Sequence, residues 1–343
     1  MFDTVKLGIP ISLTEQEIEA VDWTRTNSSF KPSKKEAPTI FKELHDKNYK
    51  GCPFIRYTYK EDNLAKCWLK VEVSIPTFLY GSNVYELQGR DLDMFYKRLR
   101  KHVADELKLS VSRVPPIDQC TVEKVHVCKN FNVGNLKQHY LKAMSASTIP
   151  RYQKRFYCSI GSEKVESIEW KATKKKEKLY DKEAELQQQG DYLDKPRHLA
   201  MSKGLLRYEI ELSDREIRLI SPSRRVADVL KIEEAVRILQ KGLIRNGLSS
   251  GVKYTSIKQV LNVINQTSLP LRTKSSLIAF STEMMVNGED VCREKYSLST
   301  FQERQRQLRS ILGVKELLIG DILLPPLRVI SDQKKTATVL AKQ

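Results

Sequence analysis

A change of hydrophobic period divides this chain near Ser221-Pro222-Ser223. Before that point several runs place apolar residues at every second position, the spacing of a half-buried strand; beyond it they recur every three to four, the spacing of an amphipathic helix. The alternating runs are 54–60 and 65–75, which read as a hairpin around Glu61-Asp62-Asn63, then 120–131, 168–173 and 205–212. An opening strand over 1–11 precedes them, followed to about residue 49 by polar, mixed text with a basic run at 31–35 that predicts loops. Within this first part 91–109 has helical spacing, with Leu92, Phe95, Leu99, Val103 and Leu107 on one stripe; 76–85 reads as a turn-rich bridge and 135–147 as a short helix. The later helical runs are 227–243, 256–265, 273–285 and 297–314, the last capped by Ser299 or Thr300 and stopped by Gly313. Strands followed by helices predict an α+β domain over 1–222, a mostly helical domain over 223–330 and a basic tail at 331–343.

Charge narrows the choice of partner. The 343 residues carry a formal net charge of +17, which calls for a polyanion; nucleic acid comes first, an anionic membrane surface second, and a merely solvated basic surface is the bland reading. The N-terminal run is broken by Asp3, Lys6 and Pro10 and reads as a strand rather than a signal peptide, and no stretch approaches the roughly 18 apolar residues of a membrane span. Six cysteines without Cys-x-x-Cys spacing suit neither a disulfide framework nor a structural zinc site, so reduced thiols and a cytoplasmic location are expected.

One stretch carries the most chemistry. Lys178-Leu179-Tyr180-Asp181-Lys182-Glu183 sets a tyrosine among cations at the exit of the Lys174-Lys175-Lys176 run. Tyrosine can attack phosphorus and hold the product as an ester, provided that cations sit close to the phosphate. An extended backbone would align Lys178, Tyr180 and Lys182 on one face, whereas a helix would turn Lys182 away. An exposed ring without chemistry is the competing reading. Asp181 is a candidate N-cap for a helix over 183–189 that Gly190 ends. Nearby, 151–157 interleaves Arg151, Lys154 and Arg155 with Tyr152, Phe156 and Tyr157, a pattern that suits phosphates and bases and equally suits sheet packing.

Two further strands carry polar groups on one face. In 120–131, Val125 and Val127 are expected in the core, which leaves His126 opposite, as a metal ligand or as a satisfied histidine on a wet sheet. In 205–212, Leu206, Tyr208, Ile210 and Leu212 face one way and Arg207, Glu209 and Glu211 the other. Glu72 shares a face with Lys70 and Ser74. The run at 297–314 is basic through Arg304, Arg306 and Arg309, as a DNA-reading helix or a solvated one would be.

Taken together, several of these stretches resemble the replication initiators of filamentous phages and their plasmid and prophage relatives, which nick one DNA strand to begin rolling-circle replication. The opening Met1-Phe2-Asp3-Thr4-Val5-Lys6-Leu7 is similar to that family's start, and 71–74 with Gly81-Ser82-Asn83-Val84 to its Val-Glu-Ile strand and Gly-His-Asn-Val turn. Tyr180 through Leu186 resembles its Tyr-x-Lys-x-x-Glu-Leu signature, and Leu205-Leu206-Arg207-Tyr208-Glu209 its Leu-Val-Arg-Phe-Glu strand. The 301–312 segment resembles its basic C-terminal part. Two features depart: Ser82 stands where the family has histidine, and the His-hydrophobe-His pair of the wider superfamily stands here as His126-Val127-Cys128, cysteine being a poor ligand for hard Mg²⁺.

The resemblance implies an antiparallel-sheet endonuclease domain of the HUH-like type, a metal-dependent, site-specific DNA nickase and strand transferase. Tyr180 is its nucleophile, giving a 5′-phosphotyrosyl intermediate and a free 3′-hydroxyl primer, and later rejoining the ends. Lys182 would assist the attack or hold the phosphate, with Glu185 orienting Lys182. Mg²⁺ or Mn²⁺ would sit on His126, Glu72 and Glu209, chosen by residue type and strand position. Lys174, Lys175, Lys176, Arg151 and Arg155 would track single-stranded DNA, while Arg304, Arg306 and the C-terminal helices would bind origin duplex or another protomer. The implied partners are single-stranded and duplex origin DNA, a host polymerase and a helicase, without a membrane, in the cytoplasm of a bacterial host. The alternative is an origin-binding regulator that does not cut.

Overall fold

In a computed structural model of the chain, the described residues are 1–29, 37–45, 51–146, 149, 151–158, 164–192, 194–249, 257–312 and 324–329. The basic run at 31–35, the expected helix stop Gly313 and the basic tail at 331–343 lie outside them. The strands are β1 (Phe2–Ile9), β2 (Arg25–Ser29), β3 (Thr39–Leu44), β4 (Phe54–Lys60), β5 (Asn63–Ser74), β6 (Thr121–Asn132), β7 (Gln153–Cys158), β8 (Val165–Lys171), β9 (Lys175–Asp181) and β10 (Leu205–Ser213). They join in one ten-stranded antiparallel sheet ordered β2-β3-β4-β5-β1-β6-β10-β9-β8-β7. Helices α1 (Glu15–Ala20), α2 (Ile75–Tyr80), α3 (Gly89–Glu106), α4 (Lys137–Ala146), α5 (Lys182–Gln187) and α6 (Lys195–Ser202) punctuate the strands. After β10 come α7 (Asp214–Arg218), α8 (Val226–Val229), α9 (Ile232–Arg245), α10 (Ile257–Gln266), α11 (Leu271–Lys295) and α12 (Leu298–Leu312), so the chain is α+β, strands first and helices after. Among the described residues no helix is long and apolar enough to cross a membrane.

The compact units do not follow the expected division at 222. One comprises Met1–Lys129 with Glu209–Leu239, the other Asn130–Tyr208 with Gln240–Val329; β6 and β10 each contribute residues to both.

In the first unit the alternation of β4 and β5 pairs as a hairpin, with Tyr57 opposite Leu69 and Ile55 opposite Val71, all buried. The α3 stripe of Leu92, Phe95, Leu99 and Val103 is buried, as is Leu107 just beyond it. Two expectations need correction. The predicted loops before residue 49 contain β2 and β3; β2 is an almost wholly exposed edge strand, Arg-Thr-Asn-Ser-Ser, so it forms by backbone pairing to β3 and has no apolar face to betray it. The bridge at 76–85 begins as α2, with Pro76 in its first turn and Gly81 closing it in the left-handed region at φ 76°. On β6, Leu7 pairs with Val122 but Lys6 with Lys124, so Glu123 is a bulge and both Val122 and Val125 reach the core.

In the second unit β7, β8 and β9 form an antiparallel run with α4 against it, and Trp170, Ile168, Leu179, Tyr140, Leu141 and Met144 are buried there. Gly204, at φ 71°, leads into β10; a Cβ at that position would stand 2.9 Å from the Gly134 Cα, so two backbones cross where only hydrogen fits. Helices α10, α11 and α12 surround their own core of Val260, Ile264, Leu277, Phe280, Met284, Cys292, Phe301 and Leu308. A residue in non-helical conformation, Gly288 at φ 85°, breaks α11 internally. The cap of α12 is Ser297, whose Oγ accepts the Thr300 amide at 3.3 Å, rather than Ser299 or Thr300.

Candidate functional site

Tyr180 is the last but one residue of β9, and Lys182 is the first of α5. The backbone turns at Asp181, which is buried and caps α5 by accepting the amides of Glu183 at 3.0 Å and Ala184 at 3.2 Å on one carboxylate oxygen. Because the strand persists to Asp181, Lys178 lies on the Tyr180 face by alternation. Lys182 is helical yet does not diverge: its ammonium lies 5.9 Å from the centre of the Tyr180 ring, within cation–π range. The Lys182 side chain is fully buried, and its Nζ donates to Glu185 Oε2 at 2.5 Å, while Gln189 Nε2 donates to Glu185 Oε1 at 2.7 Å. A buried ammonium needs such a partner.

The face that carries Tyr180 continues across β8 and β7 in register. Tyr180 lies opposite Ser167, which lies opposite Tyr157; Lys178 opposite Glu169 and Arg155; Lys176 opposite Lys171 and Gln153. Residues directly opposite share a face, so two tyrosines and four cations form three rows on a half-exposed sheet. Arg155 and Tyr157 are exposed, and the acid Glu169 lies 4.0 Å from Lys178. Of the expected DNA contacts, Lys174, Arg151 and Arg155 are exposed and Lys176 is half-buried on the Tyr180 face. Lys175 is turned the other way, 3.8 Å from the buried Glu177. Arg304 and Arg306 lie on α12, where Arg304 donates to Gln307 and Arg306 pairs with Glu303.

The covered face of β9 holds a polar cluster that sequence reasoning missed. Buried Glu177 accepts from Tyr208 Oη at 2.5 Å, Tyr152 Oη at 3.2 Å, Asn246 Nδ2 at 3.2 Å and the Arg245 guanidinium. Burial, then the Glu177 carboxylate, raises the Tyr208 pKa well above its ordinary value.

The expected metal ligands lie in the first unit, and the structure treats them unequally. His126 Nδ1 is 2.9 Å from Glu209 Oε1, and its Nε2 is 3.4 Å from Glu211 Oε2 without a hydrogen bond of its own. Alternation on β10 had already put Glu209 and Glu211 on one face. Glu72 is otherwise engaged: Lys124 donates to it at 2.9 Å and Lys6 lies 4.0 Å away, in the row where Lys6 opposes both Glu72 and Lys124. Cys128 is buried. Among the described residues no group of three His, Cys, Asp or Glu side chains is disposed to hold a metal ion, so His126, Glu72 and Glu209 do not close into a ligand set. At the turn where the resembling family has histidine, Ser82 is buried and accepts the Val84 amide at 3.3 Å, and Asn83 donates to Asp3 at 3.2 Å.

No family model, no curated protein and no solved structure matches the chain.

Proposed function

We propose that the chain is a tyrosine-dependent, site-specific DNA nicking and joining enzyme of the rolling-circle initiator type, built on an HUH-like antiparallel sheet and acting in the cytoplasm of a bacterial host. The observation that carries this reading is the corner at Asp181, where a half-exposed tyrosine has a lysine ammonium against its ring and stands at the end of a sheet face lined with Lys178, Lys176, Lys171 and Arg155. That face suits a single strand, cations meeting phosphates and rings meeting bases.

In the step proposed, the Tyr180 oxygen attacks the scissile phosphorus as the bond from phosphorus to the 3′ oxygen breaks. The tyrosine proton is lost, the 3′ oxygen leaves and gains a proton, and a 5′-phosphotyrosyl ester remains. The ester retains the phosphodiester's energy, so a 3′-hydroxyl can reverse the step and close the strand. Lys182, fully buried, is held at the ring by Glu185, where its charge would act through the ring on the Tyr180 oxygen as the proton leaves rather than by touching the phosphate. The freed 3′-hydroxyl would serve a host polymerase working with a helicase. Dependence on Mg²⁺ or Mn²⁺ is what the resemblance implies, and among the described residues His126, Glu72 and Glu209 do not close into a ligand set for it. That same failure favours a second reading, an origin-binding regulator that does not cut.

The two separate on a denaturing gel. Labelled single strands, in a set broad enough to contain the origin, are incubated with the protein with and without Mg²⁺ or Mn²⁺ and resolved before and after protease. A protein-linked 5′ end that vanishes in Tyr180→Phe, with DNA binding kept, supports the enzyme. Salt-sensitive binding without an adduct in either metal supports the regulator.

A further inference from the structure

Lys137 opens α4, forty-four positions before Asp181 in sequence, and is itself buried. Its Nζ donates to Asp181 Oδ1 at 2.6 Å and to Glu183 Oε2 at 3.1 Å. The Asp181 oxygen it reaches is the one that accepts the amides of Glu183 and Ala184. Three donors thus converge on one buried oxygen, and that residue is the single link between Tyr180 and Lys182. The start of α4 is fixed in turn: the Val133 amide donates to the Gly204 carbonyl at 3.0 Å, and a Cβ at Gly204 would stand 2.9 Å from the Gly134 Cα.

Resting on the reading of Tyr180 as nucleophile, we propose that Lys137 is a positioning residue for the reaction: through Asp181 it fixes the strand-to-helix corner that holds the Lys182 ammonium against the Tyr180 ring. The chemistry asks for such a device. A nucleophile and a cation on different elements keep their separation only as well as the joint between those elements is held, and Asp181 without its cation would be a buried carboxylate seeking water. Lys137 touches neither ring nor phosphate in this role; it acts on the angle between β9 and α5.

The experiment is single-turnover formation of the protein–DNA adduct at saturating DNA, with the half-saturating DNA concentration measured alongside. Lys137→Met should slow the adduct by roughly ten- to a hundredfold and leave half-saturation unchanged. Lys137→Arg, which restores a cation in reach of both carboxylates, should recover most of the rate. Should Lys137→Met fold poorly, Lys137→Met with Asp181→Asn removes both buried charges and keeps a good N-cap; it should unfold at the wild-type midpoint and still be slow. An undiminished rate in either folded variant overturns the positioning role, as does a loss confined to DNA binding or one that arginine does not rescue. A wild-type protein that forms no adduct, or one whose adduct survives Tyr180→Phe, overturns the nucleophile reading and the positioning role together. An adduct lost in Tyr180→Phe but formed at full rate in Lys137→Met overturns the positioning role alone.

Discussion

At the scale of residues, β9 is divided between two tasks by simple alternation. Tyr180 and Lys178 face outward, while Glu177, Leu179 and Asp181 are buried. Glu177 is a charge in a place where charge is costly, and it stays because Tyr208, Tyr152, Asn246 and Arg245 all donate to it. Replacing such a residue by well-packed apolar groups throughout the cluster could be harmless; removing one partner is not. Glu177→Ala strands the Arg245 guanidinium and takes the buried Tyr208 phenol's carboxylate acceptor away, while the Asn246 amide keeps Tyr208 Oη, so a loss of about 3–5 kcal/mol is expected, read as a lower urea midpoint. Glu177→Gln keeps an acceptor and should cost less. The same rule explains why Lys182, fully buried, is tied to Glu185 and why Lys137 is tied to Asp181.

At the scale of elements, a run was legible when its apolar pattern was long enough to count. The alternation of β4, β5, β6 and β10 and the stripe of α3 spanned seven residues or more, and each is an element of the structure. The five residues of β2 carry no apolar pattern, and α2 hides behind a proline and a glycine that read as a turn. The bulge at Glu123 was not legible, because one inserted residue is invisible without the partner strand. The site divides in the same way. Tyr180, Lys182, Glu185 and the Asp181 cap lie within six residues and could be read locally, whereas Lys137, Tyr152, Arg245 and Asn246 come from distant elements that only the fold gathers. Likewise the shared face of Glu209 and Glu211 followed from alternation, but the lysines that occupy Glu72 did not. Helices α10–α12 offer a prediction at this scale, since they pack on a core of their own. Phe280 meets Tyr296 and Phe301 edge to face at 5.3 and 5.7 Å, and Phe280→Ala should cost about 3–5 kcal/mol locally. Cys292 reports the outcome: burial pushes its thiol up to about 11 and keeps it inert, so it should become alkylated in Phe280→Ala, while exposed Cys158 reacts in both proteins.

At the scale of the whole molecule, the net charge of +17 and the buried phenols set how the fold answers to pH. Burial raises the pKa values of Tyr57 and Tyr96, pushes Tyr140 up to about 12 and, with Glu177 adding to it, raises Tyr208 well above its ordinary value of 10.0. In the unfolded chain these phenols ionise near pH 10, whereas in the fold they keep their protons. Above that pH the unfolded state therefore binds fewer protons than the native one, and stability falls as pH rises. The contribution is complete below pH 10 and is lost progressively toward the folded values, at about 1.4 kcal/mol per pH unit for each phenol that is ionised only when unfolded. Lysines also lose charge in this range, which relieves repulsion in a basic chain and acts in the opposite direction. That contribution is common to wild type and a tyrosine variant, so the difference in slope isolates the phenol. Urea unfolding at about pH 9 and about pH 11 should show a fall in stability that Tyr208→Phe lessens by about 1.4 kcal/mol in all, because the phenol acts only above about pH 10. Equal slopes would mean that Tyr208 ionises in the fold as readily as in the unfolded chain, and that the Glu177 cluster is open to water.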